Sequence, residues 1–326
     1  MTENEPTINR VNVQQLNDAV QRVKTEIAKV IVGQEAMVEL LLAAILADGH
    51  VLIEGVPGVA KTLTAKLLAR CVEVPFSRIQ FTPDLMPSDV IGTSVFNPQS
   101  AEFSFRRGPV FSNVVLIDEI NRSPAKTQAA LFEVMEEKQI TYDGTTYQMP
   151  SPFLVLATQN PIEQEGTYRL PEAQLDRFLF KIEVAYPTLE QEIRILEYSH
   201  SGKTTHFTNE VNPVLSAAEV HEFRQVVGSL HIEEKVMRYI AELIHETRNN
   251  KSIFLGGSPR ASVAVLRSSK AIAAMSGRDF VTPDDVIRVL PAVLRHRLLL
   301  TPEREMEGGT ADTVIAEILK KVEVPR

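Results

Sequence analysis

The sequence predicts an α/β core, with a parallel sheet carrying helices on both faces and two β-hairpin inserts, followed by an all-α domain. Between residues 50 and 157 short apolar strands alternate with helical stretches, the pattern of a parallel sheet built from crossover units. The first of those strands runs into Gly55-Val-Pro-Gly-Val-Ala-Lys-Thr62, a glycine-containing loop that opens a helix, which is the context a phosphate-binding loop requires. After Pro187 strand patterning gives way to helical periodicity. Residues 1–187 are therefore expected to form the nucleotide-binding unit with an N-terminal helix, and residues 188–326 a helical unit.

The elements follow in order. Residues 11–31 place apolar side chains at helical spacing and end before Val32-Gly33-Gln34, and a second apolar helix comes next. Strands are expected over 50–53, 77–80, 114–117 and 153–157, and helices over 61–70 and 124–137. Two stretches interrupt the alternation. Residues 91–111 carry two β-prone runs around Asn97-Pro98-Gln99-Ser100, and residues 139–149 place Asp143-Gly144 between alternating runs, a hairpin pattern. Beyond Pro187, helices are expected over 190–200, 217–227, 233–250, 260–275 and 283–300, with the polar stretch 202–213 as a connecting loop.

Composition narrows the function classes. The chain has 326 residues, 44% of them apolar and 23% charged, enough for an ordinary core without staples. Its one cysteine, Cys71, excludes an internal disulfide and a Cys-based zinc cluster, and suits packing at a helix end in a reducing compartment. The apolar run at 40–47 is far shorter than a membrane span and the first ten residues carry no apolar signal core, so a cytoplasmic protein without membrane insertion is expected. With 34 basic against 42 acidic residues the net charge is -8, which speaks against a surface built for nucleic acid. Arg106 and Arg107 are the nearest basic cluster in the first half, and solvation is the expected fate of both. His221, His231, His245 and His296 lack paired ligand spacing, so no resident metal beyond nucleotide-bound magnesium is expected. Glu136 and Glu137, at a helix end, read as a solvated face.

Three segments carry chemistry. In the loop, backbone N–H groups at a helix N-terminus converge on phosphate oxygens, Lys61 reaches the terminal phosphates and Thr62 can ligate magnesium. Ala60 stands where the generic pattern has glycine. Alanine resists positive φ, so residue 60 is expected at negative φ. The apolar run 114–117 ends in Asp118-Glu119. Successive strand residues point apart, so one carboxylate can hold a hydrated magnesium while the other polarises an attacking water. In isolation the pair would read as an acidic turn after a buried strand, and the loop upstream is what makes it specific. The apolar run 153–157 leads to Asn160, whose amide could orient that water; by itself it reads as a turn former before Pro161.

The texts GVPGVAKT, LIDEINRSP, ATQNPIEQEGTYRLPEAQLDRF and GGSPRA, in that order over nearly the whole chain, resemble the MoxR family of AAA+ ATPases. That family sits in the helix-2-insert clade with magnesium-chelatase and minichromosome-maintenance ATPases. Alanine before the lysine fits this resemblance. The resemblance implies an AAA+ P-loop NTPase core with a helical lid, and ATP or ADP with Mg2+ as cofactors. Residues Gly55, Val56, Pro57, Gly58, Val59, Ala60, Lys61, Thr62 and Leu63 would bind nucleotide, and Val32, Gly33 and Gln34 would pack near the adenine. By the same resemblance Thr62 and Asp118 are the metal ligands, Glu119 is the catalytic base and Asn160 the sensor of the terminal phosphate. Arg177 would be an arginine finger for a neighbouring subunit, and Arg260, at the start of a lid helix, a second sensor, with nucleotide between core and lid. Arginines at a transferring phosphoryl group are worth roughly a thousandfold or more in rate. The resemblance further implies a ring, hexameric in the family, von Willebrand factor A-domain partners, and chaperone-like remodelling or maturation of a client complex. A nucleic-acid motor and a magnesium-chelatase-like ATPase subunit are the alternatives, and with the acidic charge nucleic acid is the weaker partner.

Overall fold

A computed structural model of the chain describes residues 10–99, 101–160, 168, 170–200 and 210–325. The first ten residues, except Arg10, and positions 202–209 of the expected connecting loop lie outside them. The chain opens with α1 (Arg10–Ala28) and α2 (Glu35–Leu46). On α1 the residues Val13, Leu16, Val20, Val23 and Ile27 are buried, a three-four spacing that makes one apolar stripe. Burying each stabilises by about 1.5–3 kcal/mol. The stripe packs on α2, on the core helix of residues 61–71 and on two helices of the C-terminal half, residues 217–229 and 259–275.

The core begins with β1 (Val51–Gly55), α3 (Lys61–Cys71) and β2 (Phe76–Gln80). A short α4 (Pro87–Ile91), which sequence patterning did not indicate, leads into the hairpin β3 (Gly92–Asn97) and β4 (Glu102–Arg107). After it come β5 (Val114–Asp118), α5 (Ala125–Glu137), the hairpin β6 (Gln139–Tyr142) and β7 (Thr145–Gln148), then β8 (Leu154–Gln159). A four-residue α6 (Glu172–Leu175) precedes β9 (Phe180–Val184), another element the expected strands did not include. The sheet is parallel, in the order β2-β5-β8-β1-β9. β5 is buried along its whole length and β8 along all but its last residue, as strands covered on both faces must be.

The two hairpins are tied to each other. Phe105 stacks on Tyr142 and Tyr147 with centroids 4.8 and 4.7 Å apart, and the Arg107 guanidinium lies 5.2 Å from the Phe111 ring. Arg107 is thus held over aromatic faces rather than being merely solvated.

The C-terminal half contains α7 (Leu189–His200), α8 (Ala217–Ser229), α9 (Glu234–Asn249), β10 (Ile253–Leu255), α10 (Pro259–Met275), α11 (Pro283–Leu294), β11 (Leu299–Leu300), α12 (Pro302–Met306) and α13 (Ala311–Lys321). Strands therefore do not end at Pro187: β10 and β11 pair antiparallel. The helix expected to reach residue 300 stops at Leu294, because Arg297 turns into the core and leaves the last residues free to pair with β10. One apolar cluster runs from α1 and α2 through β1 and α3 into α8–α11 and α13. Cys71 is buried in it, and burial pushes its thiol up to about 12, an inert packing role.

Candidate functional site

The carboxyl ends of β1, β5 and β8 lie side by side, and that edge is where open parallel sheets bind ligands. β1 delivers the glycine loop. Gly55 allows it to turn there, since a Cβ would come within 2.9 Å of the Val184 carbonyl oxygen. Gly58 takes φ +89 with open space around it, so it is the backbone angle that requires glycine. Lys61 Nζ donates to the Gly55 carbonyl at 2.6 Å across the loop. Burial lowers the ammonium's pKa, opposed by Asp118, Glu119 and Glu54.

Residue 60 corrects the expectation of negative φ: Ala60 is left-handed, φ 61 and ψ 18. With Gly58 also at positive φ, the loop has the alternating backbone handedness that turns successive N–H groups into one concavity, an anion nest. Alanine's resistance to that conformation, about 1–2 kcal/mol, is overridden by the loop and by the helix that starts at Lys61.

A cleft of about 400 Å³ gathers Pro57, Gly58, Ala60, Lys61, Thr62 and Leu63 with Asp118, Glu119, Asn160 and three residues that sequence reasoning missed, Arg78, Gln80 and Thr158. Buried Asp118 pairs with Arg78 Nε at 2.5 Å and accepts from Thr158 Oγ1 at 3.1 Å. Thr158 Oγ1 also accepts from the Glu119 N–H at 3.1 Å, so one side chain sets both carboxylates. Glu119 is left-handed, φ 56 and ψ 52, which turns the chain immediately after the strand and separates the two carboxylates. One Glu119 oxygen, Oε2, accepts from Gln80 at 2.9 Å and Arg122 at 3.0 Å. The readable trace of Arg78 and Gln80 was their alternation with Ile79 on β2, which puts both on one face. The hard oxygens of Thr62 and Asp118 are the donor chemistry magnesium takes.

Val56 and Val59 face the core cluster rather than the cleft. Val32, Gly33 and Gln34 do not line the cleft; Gly33, at φ +78, lies against the Gln191 side chain of α7, where a Cβ would come within 2.4 Å.

Arg260 departs from the expected sensor of nucleotide between core and lid, whereas Arg177 was expected to serve a neighbouring chain and not its own. Neither reaches the cleft of Lys61. Both line a different cavity, of about 570 Å³, with Asp48, Gly49 and His50 at the opposite end of β1, one strand length or roughly 16 Å away. There both guanidiniums pair with Glu136, Arg260 at 2.8 Å. Glu136 is exposed, as expected of a solvated face, and is also the counter-ion that the two arginines share. Burial, with Arg260 beside it, lowers the pKa of Arg177. The C-terminal half is fastened to residues 176–179 on this side by Arg297, 4% exposed, whose Nε bonds Asp176 Oδ1 at 2.7 Å. Its other nitrogens donate to the carbonyls of Asp176, Phe178, Leu179 and Val293. Arg297 was not singled out because a guanidinium in a helix-end text gives no sign of burial. Among the described residues no group of three or more His, Cys, Asp or Glu could hold a metal ion, and no helix is long and apolar enough to cross a membrane.

Residues 50–180 match the family described as ATPases associated with various cellular activities, and residues 245–318 match the AAA lid domain. "Chaperone MoxR1" of Mycobacterium tuberculosis is 44% identical over 94% of this chain and 82% of its own length. "Uncharacterized protein YeaC" of Bacillus subtilis is 46% identical over 92% of each chain. A crystal structure of a proposed ATPase from Cytophaga hutchinsonii superposes with a TM-score of 0.89 at 43% identity, covering 97% of each chain.

Proposed function

The chain belongs to the MoxR family of AAA+ ATPases and hydrolyses ATP, and from that premise we propose that it works as a ring whose neighbouring chains share each hydrolytic site, spending the hydrolysis on chaperone-like remodelling of a partner complex. The observation that carries this is the separation of the catalytic set. Lys61, Thr62, Asp118, Glu119 and Asn160 share one cleft, while Arg177 and Arg260 share another at the far end of β1. Two arginines held together on Glu136 and off their own nucleotide are suited to a neighbour's.

In this reading the loop N–H groups and Lys61 bind the phosphates. Thr62 and Asp118 would hold magnesium, which would supply positive charge against the phosphate oxygens when bound. Glu119 accepts the proton of the attacking water, with its free oxygen Oε1 available while Gln80 and Arg122 hold Oε2. Asn160 orients that water. Arg177 and Arg260 neutralise charge on the transferring group across the subunit boundary. A hexameric, cytoplasmic ring working with a von Willebrand factor A-domain protein is the form this proposal takes.

Steady-state ATP turnover of Glu119→Gln tests the base, and unchanged turnover removes Glu119 from that role. Mixing Arg177→Ala with Lys61→Ala chains tests the shared site. Each mixed boundary that joins an intact loop to an intact arginine should regain turnover, and a mixture as inactive as its parents sinks the shared-site proposal.

A further inference from the structure

Between the amino-terminal edge of the sheet and the lid helices α8 and α10 lies a cavity of about 530 Å³, at the opposite end of the strands from the Lys61 cleft. Its charged walls are Lys138, Arg224, Arg267 and Lys270, with Asp48 as the sole acid. That is a net +3 in a chain of net -8. The charges come from separate elements: Lys138 caps α5, Arg224 belongs to α8, and Arg267 and Lys270 to α10.

One carboxylate does not satisfy four cations. Asp48 pairs with Lys138 and with Arg224 Nη1, the latter at 2.8 Å. Arg224 Nε donates to the Ile45 carbonyl at 2.8 Å, but its Nη2 is buried without a hydrogen-bond partner. An arginine stays charged at any physiological pH, and an orphaned charged donor in a half-dry site costs free energy that a bound anion recovers. Lys270 Nζ donates to the Gly228 carbonyl at 2.8 Å, with no carboxylate partner among the described residues. Arg267 donates to the carbonyls of Ala47 and Asp48 and shares the Asp48 carboxylate's charge with Arg224 and Lys138. Burial lowers the pKa of both Arg224 and Lys270.

We propose that this cavity is a second anion site, separate from the nucleotide cleft, which takes a phosphate-bearing small molecule and clamps the lid to the core. Its volume falls within the range of small-molecule sites. Arginine and lysine donors converging from several elements suit phosphate oxygens, which accept in several directions. Leu46, Met149 and Phe153 supply apolar wall for the body of such a ligand. Because the ligand would bridge α8 and α10 to the Asp48 turn, binding would also hold the lid against the sheet.

The test titrates inorganic pyrophosphate, and in parallel orthophosphate, into the full chain saturated with ADP so that the phosphate loop is occupied. Calorimetry should find one pyrophosphate site per chain, tighter than that for orthophosphate. It should weaken at least tenfold in Lys270→Gln and persist in Lys61→Ala. Lys270 is partly exposed and outside the hydrolytic set, so Lys270→Gln should fold and keep its turnover without added phosphate. Arg224→Gln should lose binding further. Pyrophosphate should raise the thermal midpoint of the native chain and not that of Lys270→Gln. No binding to the ADP-saturated chain, binding that Lys270→Gln leaves unchanged, or binding that only Lys61→Ala removes would each overturn the proposal.

Discussion

Replacing Arg297 by lysine tests how the lid is fastened to the sheet. In the native chain one nearly buried guanidinium serves five acceptors: the Asp176 carboxylate and the carbonyl oxygens of Asp176, Phe178, Leu179 and Val293, at 2.5 to 3.1 Å. A lysine has one nitrogen with three donors and no planar fork. It can keep the Asp176 carboxylate and at most two carbonyls, so at least two of the five bonds are lost, with the Phe178 carbonyl keeping His296 Nε2 as a second donor at 3.0 Å. Hydrogen bonds to a charged group contribute about 1.5–3 kcal/mol each, which makes the expected loss of two about 3–6 kcal/mol, overlapping the range for breaking a buried pair. Urea unfolding monitored by circular dichroism reads that loss directly. The substitution also frees the Asp176–Leu179 segment that carries Arg177, so ATP turnover of the assembled form should fall while ADP binding at the loop is kept. A stability within about 0.5 kcal/mol of native, the scatter of an ordinary surface change, would refute the view that Arg297 latches the lid.

Three further outcomes are expected. Ala60→Gly should stabilise the chain by about 0.5–1 kcal/mol in the same urea assay, the relief of left-handed alanine offset by glycine's unfolded-state entropy; a destabilisation would mean that Ala60 is not strained. Thr158→Val should cost about 1–3 kcal/mol and depress turnover, because the Glu119 N–H loses its acceptor and Asp118 a donor, whereas Thr158→Ser should restore both. Buried His50 accepts from the Val155 N–H at Nδ1 and donates from Nε2 to the Met135 carbonyl, and burial lowers its pKa from 6.5 to about 4. The unfolded chain therefore binds the proton first. The stability tied to neutral His50 is full above pH 6.5 and is lost as pH falls towards 4, about 2 kcal/mol by pH 5. Denaturation midpoints at pH 7 and pH 5 check this against His50→Gln, which should lack that part of the slope.

The legible part of this protein is local. The strand-loop-helix of residues 51–71, the carboxylate pair after β5, Asn160 after β8 and both hairpins follow from neighbouring residues, because each needs only its own backbone and flanking pattern. Ala60 shows where that reasoning stops. Intrinsic preference pointed to negative φ, and the nest required the opposite, since the demand comes from the loop as a whole. Arg78, Gln80 and Thr158 were unreadable for a similar cause: they act on Asp118 and Glu119 from adjacent strands, and which strands are adjacent is set by sheet order.

By itself, then, the sequence determined an ATPase of the MoxR family, its phosphate loop and its carboxylates. Only the tertiary structure decided where the two arginines stand. Their place depends on the packing of the lid, held by Arg297 on Asp176 and by a core shared with α1 and α2. Such contacts join residues more than a hundred positions apart, and no periodicity in the chain encodes them. The same packing encloses four cations around Asp48, a charge imbalance that arises because α5, α8 and α10 meet there.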